Sequence, residues 1–502
     1  MLKYAIIALI GCCCVFARSQ SSIVFSKTFQ TKKRNVPIAI LNNHPGYFHV
    51  LRYNKIVHDF VIERRGKPNA EILAFTALKL DSINTAAFNY EKLDYQLFEV
   101  DYKLYFIFEK VLNHKHTIYL KIIDTTGRTS GFTELGNLEK EAAAIDLRFK
   151  FERVANNNLL IVGEVDYSNG VTKKAVTLLD LKTLKPIWIK KIPHHNSVTE
   201  ITNGFTTNAN NDLFYVHYLI KSLFMVKRGV TEQRIIQEFG PVSVVRSNSE
   251  SKEIEKHVLS LQKVEAIYNA TLVPYNNDVV YTGHVVSEDI GKHVYLHTER
   301  VDHNNQKVYA INNDLSSEVN DQLTFYDGTD YKDAGYKNYT LKKSFLNGGR
   351  LFYITERKQE NSYKELLVWN IDLESGKAIP RVVPRKIFYF DDRTRFRKLG
   401  ECMPVFKNNL LNIYILEEPS NFKTPPEGFK YHDYRKQTSV WGGNVVNFTT
   451  GDNAAFTKKL IYANRNFDLI PLDYTSECKT DEAFYFNEGK LEKFGFISLT
   501  SP

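Results

Sequence analysis

The residues best suited to bind a ligand lie in an aromatic-rich segment at positions 419–458. Tyr431, Tyr434, Arg435 and Trp441 stand there among prolines and glycines. Flat aromatic rings cover the apolar faces of sugars and peptides, and an arginine can fix their polar groups. The segment therefore predicts a surface that binds a glycan or a peptide. Rings packed onto their own sheet would give the same pattern, and that alternative stays open.

Three arginines alternate shortly before this segment, at Arg393, Arg395 and Arg397. On a β-strand this spacing places all three guanidinium groups on one face, because side chains alternate with a period of two. Guanidinium groups match carboxylate, sulfate or phosphate, so the run predicts an anionic ligand. The alternative is a solvated strand face whose charges pair with Asp391 and Asp392.

Metal and cofactor chemistry finds little support. Four aspartates stand at positions 321, 327, 330 and 333, but their spacing fits no calcium-binding loop. His293 and His297 are four apart in a stretch that predicts a strand, so they do not face one metal. The chain has no CxxC, HExxH, Walker or Gly-x-Ser-x-Gly motif. We therefore expect no metal and no cofactor, and the catalytic residues, if any exist, leave no local signature.

The first residues resemble a secretory signal peptide, which we place at positions 1–19. Lys3 supplies a positive start, and the apolar run up to Ala17 is too short to span a bilayer. The alternative is a lipoprotein signal, Leu9 to Cys12, which would leave a lipid on Cys12. We expect a secreted, periplasmic or cell-surface protein, with an outer-membrane lipoprotein as the alternative. The composition, rich in Asn, Lys, Ile, Tyr and Phe, is typical of an AT-rich bacterial genome.

Two cysteines remain beyond this leader, Cys402 and Cys478. In an oxidising compartment they could form a disulfide that ties the last repeat to the C-terminal segment. Two separate buried thiols are the alternative.

Composition indicates a globular chain built from strands. The 502 residues are 43% hydrophobic and 25% charged, and aromatic residues reach 13% against only three methionines. The net charge of +9 is diluted over a large surface, so it does not call for nucleic acid. We expect a monomer without a transmembrane span.

A turn followed by a short apolar strand recurs seven times, at intervals of 48 to 72 residues. Five of the turns read Asn, a polar residue, then an aliphatic residue, and a tyrosine and a glycine lead the other two. Asn, Asp and Gly adopt the positive φ of tight hairpin turns at least cost. The aliphatic residues that follow the turns are Ile56, Leu104, Leu159, Leu213, Val279, Leu351 and Leu410.

One repeat contains four strands, seen most clearly in the third, where Leu147–Val154, Leu159–Val165, Ala175–Asp180 and Ile187–Ile189 alternate with turns. Four-stranded meanders repeated about seven times resemble the blades of a β-propeller of an exported bacterial type. The resemblance covers residues 22–500 and implies an all-β ring of seven blades, with eight as the alternative. It also implies that strands from both chain ends complete one blade.

Long loops are the expected carriers of function on such a scaffold. We place them at 246–266, 314–338 and 419–458, and the spacing of Ile254, Val258 and Leu261 predicts a short helix in the first. The function we expect is non-catalytic binding of a protein, peptide or glycan by loops on one face. The alternative is a polysaccharide hydrolase or lyase with carboxylates from several blades in the central funnel. An enzyme should gather carboxylates, or a His with a carboxylate, at one mouth of the ring.

Overall fold

The structure is a computed structural model whose described residues are almost entirely β-strand. It describes residues 23–30, 35–54, 59–78, 95–112, 115–139, 144–168, 171–192, 200–228, 232–249, 254–261, 264–287, 293–315, 319, 339–359, 362–383, 387–388, 402–417, 432–433, 443–450, 457–464, 468–469, 473–476, 481–488 and 491–498.

Two short N-terminal strands are followed by sheets 1 to 4, each built mainly from four antiparallel strands. The N-terminal strands are β1 (Val24–Phe25) and β2 (Phe29–Gln30). Sheet 1 contains β3 (Asn35–Asn42), β4 (Tyr47–Asn54), β5 (Asp59–Gly66) and β6 (Ile72–Ala77). Sheet 2 contains β7 (Tyr95–Val100), β8 (Lys103–Leu112), β9 (Lys115–Ile123) and β10 (Thr133–Glu139). Sheet 3 contains β11 (Ala144–Arg153), β12 (Asn158–Tyr167), β13 (Thr172–Asp180) and β14 (Lys185–Ile192), with a 3₁₀ turn at Ala155–Asn157. Sheet 4 contains β15 (Glu200–Thr207), β16 (Leu213–Arg228), β17 (Glu232–Phe239), β18 (Ser243–Ser247) and β19 (Ile254–Val258).

Sheets 5 to 8 follow the same plan, with short additions at their edges. Sheet 5 contains β20 (Val264–Tyr275), β21 (Asp278–Ser287), β22 (His293–Val301) and β23 (Lys307–Asp314). Sheet 6 contains β24 (Tyr339–Asn347), β25 (Arg350–Gln359), β26 (Ser362–Asp372), β27 (Ala378–Val383) and β28 (Ile387–Phe388), joined by β31 (His432–Asp433). Sheet 7 contains β29 (Met403–Lys407), β30 (Leu410–Glu417), β32 (Gly443–Thr450) and β33 (Thr457–Asn464). Sheet 8 contains β34 (Asp468–Leu469), β36 (Asp481–Glu488) and β37 (Leu491–Ser498), while β35 (Asp473–Ser476) pairs in parallel with β3.

Each sheet packs against the next, and the last packs against the first. Hydrophobic clusters join successive pairs from sheets 1 and 2 through to sheets 6 and 7. Sheets 7 and 8 meet where the rings of Tyr414 and Phe484 lie 4.8 Å apart. Sheet 8 returns to sheet 1, with the rings of Phe48 and Phe494 5.1 Å apart. Sheets that contact one another in a closed cycle form a β-propeller, so the predicted fold class is confirmed.

The described strands form eight sheets, the number that the sequence offered as the alternative to seven. The recurring turns fall one to each of sheets 1 to 7. The first follows the second strand, β4, and the other six stand between the first and second strands of their sheets. The additional sheet comes from the two chain ends. Val24 pairs with Phe496, and Phe29 pairs with Glu492. Both ends of the chain therefore share sheet 8, as the resemblance implied.

The turns between the first and second strands have the predicted backbone conformation at most of the recurring positions. The φ angle is positive at Asn157, Asn211 and Asn409, and at Gly348 in the sixth sheet. Asparagine and glycine adopt this conformation at little cost, which explains why they mark the repeat. Sheet 2 differs, because Tyr102 takes the same conformation with φ 61°.

The predicted helix within 246–266 is wrong. Residues Ile254–Val258 form β19, the outer strand of sheet 4. Ile254 and Val258 are exposed, whereas His257 between them turns inward and is half-buried. A spacing of four residues satisfies both the helical period and the strand period, and pairing with β18 decides for the strand.

Cys402 lies in the core between sheets 6 and 7 and is only 2% exposed. Cys478 is outside the described residues, so the proposed disulfide remains a prediction. Within the described ranges, no helix is long and apolar enough to cross a membrane.

Candidate functional site

The strongest candidate site is a cleft between sheets 1 and 2, on one face of the ring. We call this face the turn face, because the turns between strands one and two and between strands three and four of sheets 1 and 2 lie there. Sheet 1 supplies Tyr47, His49 and Arg64 to the cleft, and sheet 2 supplies Glu99 and Tyr102. Its walls include two aromatic rings, an imidazole, a guanidinium group and the carboxylates of Glu99 and Asp124.

His44 joins the two sheets at the rim of this cleft. Its Nε2 lies 2.8 Å from Glu99 Oε1 and 3.0 Å from Oε2. The side-chain amide of Asn43 donates to the same carboxylate at 3.3 Å. The His44 ring stacks on Tyr47, with centroids 4.1 Å apart, and faces Tyr102 at 6.0 Å. The three rings make an aromatic stack whose orientation is fixed by Glu99.

Tyr102 is the exposed end of this stack and carries backbone strain. Tyr102 is 71% exposed, and both Asp101 and Tyr102 have positive φ. A bulky residue in the left-handed region costs about 1–2 kcal/mol, whereas glycine or asparagine would cost less. Tyr102 is therefore a strained and exposed aromatic residue at the mouth of the cleft.

His49 lies deeper in the cleft and stays neutral. Burial lowers its pKa to about 3, and the charges of His44 and Arg64 act in the same direction. Burial and the nearby Glu99 carboxylate raise the pKa of Tyr47, against the opposing charge of Arg64. At neutral pH the cleft therefore holds a neutral imidazole and a protonated phenol as hydrogen-bonding groups.

Part of this arrangement is an ordinary contact between neighbouring sheets. Arg64 donates to the Thr125 carbonyl of sheet 2 at 3.1 Å and lies over the Tyr47 ring. Between sheets 5 and 6, Arg300 likewise donates to Glu374 at 2.9 Å and lies over Tyr275. What distinguishes the cleft of sheets 1 and 2 is the addition of two histidines and the strained Tyr102.

A second concavity of about 400 Å³ lies where the first strands of sheets 3 to 6 converge. Its lining mixes apolar side chains such as Phe205 and Leu272 with the charged Lys150, Glu152 and Arg153. Burial raises the pKa of Glu152, although solvent reaches its side chain. Glu152 is the one carboxylate among the residues that line this cavity. Glycoside hydrolysis commonly needs two carboxylates, and the described residues that line this cavity supply one.

The ligand-binding residues predicted from sequence are not among those the structure describes. Tyr431, Tyr434, Arg435 and Trp441 lie outside the described residues, as do Arg393, Arg395 and Arg397. The four aspartates of segment 314–338 also fall outside them. In the parts of the chain that are described, no group of three His, Cys, Asp or Glu side chains could hold a metal.

Glu299 links His297 to a second histidine, His257, because its carboxylate contacts both side chains. Glu299 Oε1 lies 2.6 Å from His257 Nε2, and Glu299 Oε2 lies 3.0 Å from His297 Nε2. Burial alone would raise the pKa of Glu299, but these hydrogen bonds and one from the Ser260 amide lower it. His297 and Glu299 are almost fully buried, so the cluster joins sheets 4 and 5 internally.

Sequence reasoning did not single out His44, Tyr47, His49, Arg64 or Glu99. His44 and Glu99 are 55 residues apart and meet only because sheets 1 and 2 are neighbours. One signal was present: Tyr102 occupies a turn position where the other repeats place asparagine or glycine.

Comparisons with known proteins found only distant structural similarities. No family model matches the chain, and no curated protein matches it by sequence. Similar solved structures include the β-propeller domain of the Trilobed protease from Pyrococcus furiosus, at 10% identity and a TM-score of 0.39, covering 86% of this chain and 99% of that one. The β-propeller domain of Nup133 from Vanderwaltozyma polyspora shows 10% identity and a TM-score of 0.34, with 81% and 100% covered. A polysaccharide lyase shows 11% identity and a TM-score of 0.34, with 68% and 78% covered. No activity follows from similarities this low; the closed cycle of sheets identifies this chain as a β-propeller.

Proposed function

We propose that the protein is an exported, non-catalytic β-propeller that binds a glycan or peptide through the cleft between sheets 1 and 2. The observation that carries the proposal is Tyr102, an exposed aromatic residue held in a strained turn at the end of an aromatic stack. Stacked rings beside a carboxylate and a guanidinium group suit ligands that present both apolar faces and polar groups. Export rests on the signal peptide expected at positions 1–19.

Replacing Tyr102 with asparagine tests the proposal, because the change should move stability and binding in opposite directions. Relief of the left-handed strain is expected to raise the free energy of unfolding by about 0.5–1 kcal/mol. Loss of the exposed ring is expected to weaken ligand binding about tenfold. Urea unfolding would measure the first effect. Titration calorimetry with the best ligand from an array of oligosaccharides and peptides would measure the second.

Phe75 provides a matched control for this experiment. It is 58% exposed on the outer strand β6 and does not line the cleft. Phe75→Ser should therefore leave affinity unchanged. If Tyr102→Asn retains full affinity for every ligand found, the cleft is not the binding site.

The aromatic segment at 419–458 offers a competing location for the same function. Changing Tyr434, Arg435 and Trp441 together, without touching Tyr102, separates the two. Loss of binding in that variant alone would place the ligand there, and the same comparison can be made for Arg393, Arg395 and Arg397.

One observation favours the enzymatic alternative, a hydrolase or lyase acting on polysaccharide. His44 and Glu99 form a histidine–carboxylate pair on the turn face, the arrangement in which a carboxylate orients a general base. If the protein cleaves a bound oligosaccharide, His44→Gln should abolish turnover while binding persists. We expect no turnover in the unmodified protein, as measured by the release of reducing ends or of unsaturated products.

A further inference from the structure

Glu152 is an unpaired carboxylate in the cavity of about 400 Å³ where sheets 3 to 6 meet. In the described part of the chain, its side chain makes no hydrogen bond or ion pair. Glu152 pairs with Leu160 across β11 and β12, so it stands beside an apolar side chain that also lines the cavity. Burial by these walls raises its pKa, and no neighbouring cation counters that effect. Solvent nevertheless reaches the side chain, so a ligand can reach it as well.

The two cations that line the cavity are held by other partners. Lys150 stands two residues from Glu152 on the same face of β11, but its Nζ lies 3.4 Å from the Glu164 carboxylate. Arg153 donates a hydrogen bond to the side chain of Asn157. Neither cation pairs with Glu152, so its charge is left for a group that enters the cavity.

The wall that sheets 4 to 6 supply is largely apolar and carries an aromatic ring. Gly204 and Phe205 on β15 together oppose Tyr215 on β16, which forms a β-bulge, and Gly204 has φ 63°. Such bulges redirect side chains and are frequent next to functional sites. The Phe205 ring stacks on Tyr215 with centroids 5.5 Å apart, so its position is fixed. Leu272 of sheet 5 and Leu346 of sheet 6 extend this apolar surface.

The charge of the cavity selects the class of ligand. A metal ion would need several oxygen ligands, and Glu152 is the one carboxylate among the described residues that line the cavity. An anion would be repelled by Glu152, and a neutral molecule would cover the carboxylate without pairing its charge. An ammonium group pairs with it, and an apolar body attached to that ammonium can cover Phe205. The volume admits a ligand of about ten non-hydrogen atoms.

We infer that this cavity is a second binding site, which takes a primary ammonium group on an apolar body, with the ammonium on Glu152 and the apolar body against Phe205. The inference goes beyond the proposed function, because the cavity belongs to sheets 3 to 6 and the cleft to sheets 1 and 2. A free amine, the N-terminus of a peptide and a lysine side chain all present this chemistry.

The first experiment varies the head group of one small ligand and uses the unmodified protein. Titration calorimetry would compare phenethylamine with phenethyl alcohol and hydrocinnamate, which share the ring and differ in charge. We expect the amine to bind at least about tenfold more tightly than either the alcohol or the acid. Phenylalanine amide and Nα-acetyl-lysine amide, titrated next, would separate the three sources, because the tightest binder among the amines identifies the natural one.

Glu152→Gln provides the second measurement, because it removes the charge and keeps the size of the side chain. We expect it to abolish the preference for phenethylamine and to leave the affinity for phenethyl alcohol unchanged. Glu134→Gln is the matched control, at an exposed glutamate on β10 that does not line the cavity, and it should keep the preference. Phe205→Leu should weaken the amine and the alcohol by the same factor, because it removes the ring and leaves the charge.

Four results would overturn the inference. They are tighter binding of hydrocinnamate, equal affinity for the amine and the alcohol, no binding of any of these ligands at millimolar concentration, and an unchanged preference in Glu152→Gln. Tighter binding of the acid would assign the cavity to anions held by Lys150 and Arg153. An unchanged preference in the variant would place the amine elsewhere on the protein. Tyr102→Asn should alter none of these affinities, so the cavity and the cleft are tested independently of each other.

Discussion

Glu492→Ala is expected to lower the free energy of unfolding by about 3–5 kcal/mol, because it leaves one buried positive charge uncompensated. Glu492 on β37 accepts from Arg52 on β4 at 2.6 Å. Arg52 also donates to Glu63 at 2.8 Å, and Arg65 donates to the same Glu63 carboxylate. All four side chains are less than one tenth exposed.

This four-charge cluster joins sheet 8 to sheet 1, where the ring closes. Burial opposes the charge of Arg52, but Glu492 and Glu63 outweigh that effect and raise its pKa. When Glu492 is removed, Arg52 cannot avoid the cost by losing its proton, because arginine stays protonated in proteins. The loss should open the contact between sheet 8 and sheet 1 before the other sheets unfold.

Urea and thermal unfolding followed by circular dichroism would measure this effect. Glu492→Gln keeps the volume and one acceptor, so we expect a smaller loss than for alanine. Glu134→Gln, at an exposed position on β10, should stay within about 0.5 kcal/mol of the unmodified protein. A loss below about 1 kcal/mol for Glu492→Ala would show that the cluster does not hold the ring closed.

Acid is expected to destabilise the protein steeply between pH 6.5 and about 3. Burial lowers the pKa of His49 and of His284 to about 3, against an ordinary value of 6.5. In that interval the unfolded chain binds up to two more protons than the folded one. The free energy of unfolding should therefore fall by about 1.4 kcal/mol per pH unit for each histidine, with the full stability present above pH 6.5.

Glu164 adds to this loss at lower pH. Burial alone would raise its pKa, but Lys174 and Arg148 outweigh burial and lower it to about 2. Its contribution is present above the ordinary value of 4.5 and is lost as the pH falls towards 2.

His284→Gln isolates one of the two histidines. Trp369 Nε1 donates to His284 Nε2 at 3.1 Å inside the core, and glutamine can still accept that bond. The slope of stability against pH between 4.5 and 6 should drop by about one proton. An unchanged slope in His284→Gln would contradict the assignment.

Local sequence predicted the parts of the fold that local chemistry determines. The asparagine turns are recognisable because few residue types adopt positive φ at low energetic cost. Asn157, Asn211 and Asn409 have positive φ as expected. Counting the recurring turns in the sequence gave seven and did not reveal the eighth sheet. That sheet lacks the sequence motif of these turns and draws strands from both chain ends. The helix expected near Ile254 failed because residues four apart fit either period, and only the partner strand β18 decides between them.

The candidate site could not be predicted in the same way. His49 and Arg64 meet across a hairpin, and Glu99 joins them from the next sheet, so their meaning depends on the packing of two repeats. The residue type alone does not distinguish His44 or His49 from the other histidines of the chain. The neutrality of His49 arises only when the strands surround it.

The sharing of sheet 8 by both chain ends bears on how the protein is made. Val24 cannot pair with Phe496 until the chain between them has been synthesised. If the leader acts as expected, that part of the chain must also have crossed the membrane. Until then β1 and β2 lack their partner β37, and the growing assembly presents an unpaired sheet edge, a site for wrong pairing with other chains. Any factor that escorts this protein would act best by covering that edge, and the emergence of β37 would end the need for it.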